Sequence, residues 1–296
     1  MIEYQERYKE RVIKIVKKIK GNKDNYCFNP PTQPGIPSAT TINLAVVGDS
    51  HVGFQNSQNM FNTLLQRVVS NGNKRYIIFG GDDVHALGAS SSQEAERYYQ
   101  QFTHILNSVL GSNIFHRTAI GNWEDTDRNN SRALFQQYLN PFLTGYVGIP
   151  GTQGLVRHVW LDNGRGGIFS QDSLDLLRNL DPNHYYIIDF HWPLRVPGIT
   201  NAILEDHIMS QAETEIFFNA IPANVRNRIL AIFTHHAHKF YSNSNNIHPG
   251  FPNTPFFVTG CSGDYACSSA SRGYYDVDLT IQNNMATLQA TPIRVQ

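Results

Sequence analysis

Residues 41–51, Thr-Ile-Asn-Leu-Ala-Val-Val-Gly-Asp-Ser-His, decide how this chain is read. Ile42, Leu44, Ala45, Val46 and Val47 form a short apolar run rich in β-branched residues, which predicts a buried strand. The run stops at Gly48, and Asp49 and His51 follow two positions apart. In open α/β sheets ligands bind beyond the carboxyl ends of the strands. A carboxylate and an imidazole delivered there are therefore candidate ligands. The same arrangement recurs down the chain. Strands expected at 75–79, 114–120, 185–190 and 229–233 end in Asp82, Asn122, His191 and the pair His236/His238. Each ending alone is weak: an Asp-x-His pair also serves as a cap, Gly-Asp is a common turn, and a single histidine before Trp-Pro reads equally well as a core residue. Five such endings in one chain point to a shared site.

The segments between them complete an α/β pattern. Helices are expected at 57–70, 93–110, 131–139 and 211–220, and another runs from an N-cap at Ser170 to Leu180. Further strands are expected at 155–161, 255–259, 274–281 and 286–294. Strand, glycine-containing polar turn and helix alternate, which is the α/β signature. Segments 126–154 and 192–210 are largely irregular and would shape a substrate cleft.

Composition narrows the function. Lys plus Arg number 24 and Asp plus Glu 24, so the net charge is zero and the chain carries no nucleic-acid footprint. No apolar run reaches the ~18 residues a spanning helix needs. Cys27, Cys261 and Cys267 make neither a disulfide framework nor a zinc spacing. Cys261 and Cys267 could pair in an oxidising compartment; the expectation is free thiols in a cytoplasm. Residues 3–20 read as an amphipathic helix, with Tyr8, Val12, Ile15 and Ile19 on one stripe and lysines around the rest. Lys14, Lys17 and Lys18 break any secretory h-region, which again argues for a cytoplasmic protein. This helix either packs on the domain or offers a membrane-surface or protein contact. Pro30, Pro31, Pro34 and Pro37 then form a linker. Two parts are expected: 1–40, the basic helix and linker, and 41–296, the catalytic domain.

The candidate ligands are carboxylate, amide and imidazole, with no thiolate. That set suits Mn, Fe or Zn. Seven ligands are too many for one tetrahedral ion and about right for two ions sharing a carboxylate. Paired metals ~3.5–4 Å apart recur in phosphate-ester hydrolysis.

The blocks Asp49-Ser50-His51, Gly81-Asp82, Gly121-Asn122-Trp123-Glu124, His191 and His235-His236-Ala237-His238 resemble, in order and placement, those of the calcineurin-like metallophosphoesterases. The resemblance covers about residues 42–263. It implies a four-layer α/β/β/α sandwich with two mixed β-sheets and metals at the sheet ends. It implies Asp49, His51 and His238 on a first metal, Asn122, His191 and His236 on a second, and Asp82 bridging. The implied reaction is attack of a metal-bridging hydroxide on a small phosphate ester, a monoester or a diester. Two departures stand out. His235 replaces the glycine of the last block. Trp123 replaces a histidine that in the family orients phosphate and can protonate the leaving group; an indole N–H donates a hydrogen bond but is no acid near neutral pH. His235 and His85 are the candidate proton donors in its place. His85 lies three residues after Asp82, where purple acid phosphatases carry an iron-binding tyrosine, so no tyrosinate colour is expected. Asn122, Trp123 and Arg195 are candidate substrate contacts, with Arg128 and Arg157 as further arginines. The competing reading is a metal-binding scaffold that recognises a partner and turns over little.

Overall fold

A computed structural model describes residues 39–295. Eleven strands form two mixed sheets. The first has the order β11-β10-β1-β2-β3. Here β1 is Thr40–Val47, β2 Lys74–Phe79, β3 Phe115–Thr118, β10 Gly273–Gln282 and β11 Met285–Arg294. Strands β1, β2 and β3 run parallel, and β10 and β11 are antiparallel additions. The second sheet has the order β4-β5-β6-β7-β9-β8. Its strands are β4 Gly145–Gly148, β5 Val156–Trp160, β6 Tyr185–Asp189, β7 Ile229–Thr234, β8 Tyr241–Asn243 and β9 Phe256–Val258. Four of them, β5, β6, β7 and β9, are parallel. The helices are α1 Ser57–Ser70, α2 Ser92–Leu110, α3 Ser131–Tyr138, α4 Gln171–Arg178 and α5 Gln211–Ala220.

The uninterrupted apolar runs of β1, β2, β6 and β7 follow from burial on both faces. Alternate residues of β1 part company: Leu44 and Val46 enter a core shared with Ile187, Ala231 and Phe233 of the other sheet, while Ala45 and Val47 pack with Phe61, Leu64 and Phe102 of α1 and α2. In β6, Ile187 faces the inter-sheet core, and Tyr186 and Ile188 face Leu177, Phe217 and Phe218 of α4 and α5. Three apolar clusters thus separate four layers, α/β/β/α. This is the four-layer arrangement of two mixed sheets that the sequence resemblance implies.

Three of the five helix starts rest on serine caps. Ser91, Ser170 and Ser210 accept hydrogen bonds from the N–H groups of Glu94, Ser173 and Glu213 at α2, α4 and α5. Two strands lie outside the expected pattern. Each is three or four residues long at a sheet edge, too short for alternation to register: β4 contains two glycines, and β8 follows directly on the last ligand loop. The strand expected at 114–120 narrows to Phe115–Thr118.

Among the described residues no helix is long and apolar enough to cross a membrane. The basic helix and linker expected at 1–40 lie outside them, apart from their last two residues. The expected boundary puts the whole catalytic domain after residue 40, so deleting 1–37 is expected to leave the domain folded and its metal content unchanged. Circular dichroism and elemental analysis of the truncated chain check this; aggregation would place the N-terminal segment in the core.

The expectation of free thiols is overturned. Cys261 and Cys267 are joined in a disulfide, with Cα atoms 5.8 Å apart. It closes a seven-residue loop directly after the strand β9.

Candidate metal centre

The strand ends form one continuous structure. Pairing of β1 with β2 runs on into the loops: Asp49 N donates to Gly81 O (3.1 Å), His51 N to Asp82 O (2.9 Å), Val52 N to Asp83 O (2.9 Å) and His85 N to Val52 O (2.9 Å). Glu124 fastens the third loop to the second. One carboxylate oxygen accepts from Asp82 N (2.9 Å) and Gly121 N (3.0 Å), and the other accepts from Val84 N (2.7 Å). Gly81 sits at φ +87°, and a Cβ there would lie 2.4 Å from Gly121 N, so only glycine lets the two loops meet. Asp49, His51, Asp82, His236 and His238 all have positive φ, between 45° and 62°. Each such non-glycine conformer costs about 1–3 kcal/mol and persists where surrounding structure over-determines it.

This scaffold brings two donor sets together. Asp49, His51, Asp82 and His238 each offer a ligand atom within 4.8 Å of the others, and Asp82, His191 and His236 do the same. Asp82 belongs to both. Its Oδ1 accepts from Trp123 N (2.8 Å), while Oδ2 stands 3.2 Å from His191 Nε2 and 3.8 Å from His51 Nε2. Asn122 Oδ1 lies 3.0 Å from His191 Nε2 and so borders the second set. His191 Nδ1 is 2.9 Å from Gly80 O. A carbonyl only accepts, so Nδ1 carries a proton, and Nε2 is the nitrogen that faces the cluster, where a cation would take its lone pair. Trp192 stacks on His236 with ring centroids 3.7 Å apart and its N–H on Gly164 O, which fixes that ring.

The cluster is electrostatically uneasy as it stands. Both ring nitrogens of His51, Nδ1 of His236 and His238, and Oδ2 of Asp49 are buried without a hydrogen-bond partner. Buried polar atoms are normally satisfied, and cations at the two donor sets would satisfy several of these at once. Burial, together with the neighbouring His238, holds His51 well below its ordinary pKa. At His191 burial also lowers the value, but the Asp82 carboxylate outweighs it and the pKa rises to about 9. Glu124 is pushed up to about 8 by burial and by Asp82. The donor types and the unsatisfied atoms fit metal ions.

Other expected site residues fall elsewhere. His235 is fully buried, and its Nε2 bonds Asp189 Oδ1 (2.8 Å) and its Nδ1 bonds Thr259 Oγ1 (2.6 Å). It cannot meet a substrate. The ring fills space over two glycines: a Cβ on Gly80 would lie 1.8 Å from His235 Nε2, and one on Gly48 2.2 Å from Nδ1. Gly80→Ala is therefore expected to cost about 3 kcal/mol, the upper range of overpacking, and much less in a His235→Ala background. Urea titration of the double-mutant cycle measures that coupling. Arg195 is committed to Glu205 and to Met209 O, beside a different cavity. Arg157 lies over the ring of Tyr146. His85 stacks on Trp123 with centroids 4.1 Å apart. Burial lowers its pKa to about 4.

Trp123 does reach the site. It lines a cleft of about 300 Å³ over Asp82, His236 and His238, together with Leu204, His207, Lys239 and Tyr265. These last four were not singled out from sequence. They come from irregular segments whose approach to the site no local pattern encodes.

The buried Asp/His cluster thus has the donors to hold metal ions. No family profile and no curated protein matches the chain by sequence. Its structure is similar to that of GAP50, the anchor in the inner membrane complex of Plasmodium, with a TM-score of 0.50 and 10% identity over 86% of this chain and 89% of that one. It is also similar to the NAD nucleotidase NadN of Haemophilus influenzae, with a TM-score of 0.49 and 12% identity over 87% of this chain and 51% of that one. The chain thus spans about half the length of NadN. At these identities the likeness is one of fold.

Proposed function

We propose that this chain hydrolyses small phosphate esters using two transition-metal ions, Mn, Fe or Zn. The observation that carries the reading is the pair of donor sets sharing Asp82, with ring nitrogens left unsatisfied in both. Asp49, His51 and His238 would hold one ion and Asn122, His191 and His236 the other, with Asp82 between them. When bound, such a pair supplies a nucleophile at neutral pH and takes up the charge that develops on the phosphoryl group. The chain itself orients the donors: Trp123 N aims Asp82, Gly80 O sets the tautomer of His191, and Trp192 fixes the ring of His236. Trp123 and its neighbours border the cleft into which the ester enters.

The Cys261–Cys267 bond supports a compartment that keeps thiols oxidised over the cytoplasm expected from the N-terminus. A second reading is favoured by Trp123, which leaves the cleft without the family's motif histidine: a metal-binding scaffold with little turnover. Hydrolysis of p-nitrophenyl phosphate and bis(p-nitrophenyl) phosphate by Mn²⁺-reconstituted protein separates the two. Activity lost in Asp82→Asn supports the enzyme. Two bound ions with no turnover on either ester would leave the scaffold.

A further inference from the structure

The cleft's lining has a one-sided chemistry. Beyond the donor atoms of Asp82, His236 and His238 it is formed by Trp123, Ile203, Leu204, Tyr265 and Ala266, with Lys239 and His207 as the further cationic or basic groups. Among the described residues no Asn, Gln, Ser or Thr lines it, and its one carboxylate is Asp82. Outside the donor sets, a sugar or polyol leaving group would have there only His207, Lys239, the Tyr265 hydroxyl and the Trp123 indole as side-chain partners, and each hydroxyl left unpaired is unfavourable. Leu204 is 62% exposed, a large apolar side chain with no place in the core.

Tyr265 is held in place from several sides. The loop carrying it is closed by the Cys261–Cys267 disulfide. Ser262 N and Gly263 N donate to Asp49 O (3.2 and 3.3 Å), Ser262 Oγ donates to Gly48 O (2.8 Å), and Asp264 N donates to Ser57 Oγ (2.8 Å). The phenol ring rests 4.6 Å from His51, 4.8 Å from Trp123 and 5.1 Å from Phe54, centroid to centroid. An aromatic wall fixed in advance loses little freedom when a ligand packs against it.

We propose that the cleft selects phosphate esters whose leaving group is a flat aromatic ring system, with Tyr265 on the disulfide-closed loop and Leu204 as the residues that determine this specificity. The inference rests on the phosphoesterase reading and names the substrate class of the same site. The ring would pack against Tyr265, Trp123 and Leu204 while the phosphoryl oxygens face the donor sets.

The test is calorimetric binding of three non-hydrolysed probes to the full chain loaded with Zn²⁺: inorganic phosphate, methylphosphonate and 1-naphthylmethylphosphonate. The naphthyl probe is expected to bind about tenfold or more tighter than methylphosphonate, the scale of one good aromatic contact with its buried area. Tyr265→Ala and Leu204→Ser should each lower that ratio several-fold. A Cys261→Ser/Cys267→Ser variant should reproduce the Tyr265→Ala loss, since the loop then no longer holds the ring. Phosphate binding with no preference between the two phosphonates, or a preference that survives Tyr265→Ala, overturns this inference alone. Failure of all three probes to bind protein that carries two zinc ions overturns the phosphoesterase reading and this inference with it.

Discussion

Asp82→Asn is expected to empty both metal positions. One carboxylate belongs to both donor sets, with Oδ2 turned toward His191 and His51. An amide carries no charge, and with its oxygen kept on Trp123 N it turns its nitrogen toward that point, so both ions lose the shared donor and the shared anion. Changing groups that merely support a metal ligand typically costs 10–100-fold in affinity; removal of the shared ligand is expected to exceed about 100-fold at each position. Elemental analysis after Mn²⁺ or Zn²⁺ reconstitution should give close to two ions per chain in the wild type and near none in the variant. Loss of one ion alone would count against a bridge. The fold should survive, because the backbone N–H of Asp82 is held by Glu124 and its carbonyl by His51 N whatever the side chain.

Wild-type protein is expected to depend steeply on leaving-group pKa, and Trp123→His to flatten that dependence. An alkyl ester departs as an alkoxide and needs a proton in the transition state, whereas a nitrophenolate hardly does. General acid help is typically worth ~10²–10⁴ in rate, so the effect should appear as that gap between alkyl and nitrophenyl esters. His235 and His85 are the candidates the sequence offers for a substitute acid. His235 is sealed between Asp189 and Thr259, and His85 is stacked on Trp123 with its pKa lowered by burial. The measurement is kcat/KM against leaving-group pKa for both proteins. Equal slopes would show that the cleft already holds a donor, and His207, Lys239 and Tyr265 are the protonatable side chains lining it outside the donor sets. Loss of the slope difference in one of their alanine variants would identify the donor.

The parts of the fold with strong local patterns were legible in the sequence. The helix at 57–70 and the one at 211–220 were placed with their observed bounds, because their apolar stripes end at polar turns. The strand ends carrying Asp49, Asp82, Asn122, His191 and His236/His238 were visible because a β-branched run stops abruptly at a polar residue. What failed was information held between segments. His235 looked like a neighbour of the ligands; its actual partners, Asp189 and Thr259, lie on or beside other strands. Arg195 looked free until Glu205 and Met209 O were brought to it by the fold. Tyr265, Leu204 and His207 reach the cleft from irregular loops, and no periodicity marks such residues. The disulfide is of the same kind: the spacing allowed it, and only the turn of the loop brings the two sulfurs together.

The hydrogen-bond ladder that continues past β1 and β2 has a consequence for how the site behaves when it is stripped of ions. Asp49, His51 and Val52 spend their amide protons on the neighbouring loop as strand residues do, and the carbonyl of Asp49 receives two amides from the Cys261–Cys267 loop. The mould is thus part of the sheet. Chelation should erase its contents and leave its shape: these amides are expected to exchange with deuterium as slowly in metal-free protein as in loaded protein. Recharging should then be a simple second-order event, with a rate proportional to free metal and no slow phase that waits for loops to find their places.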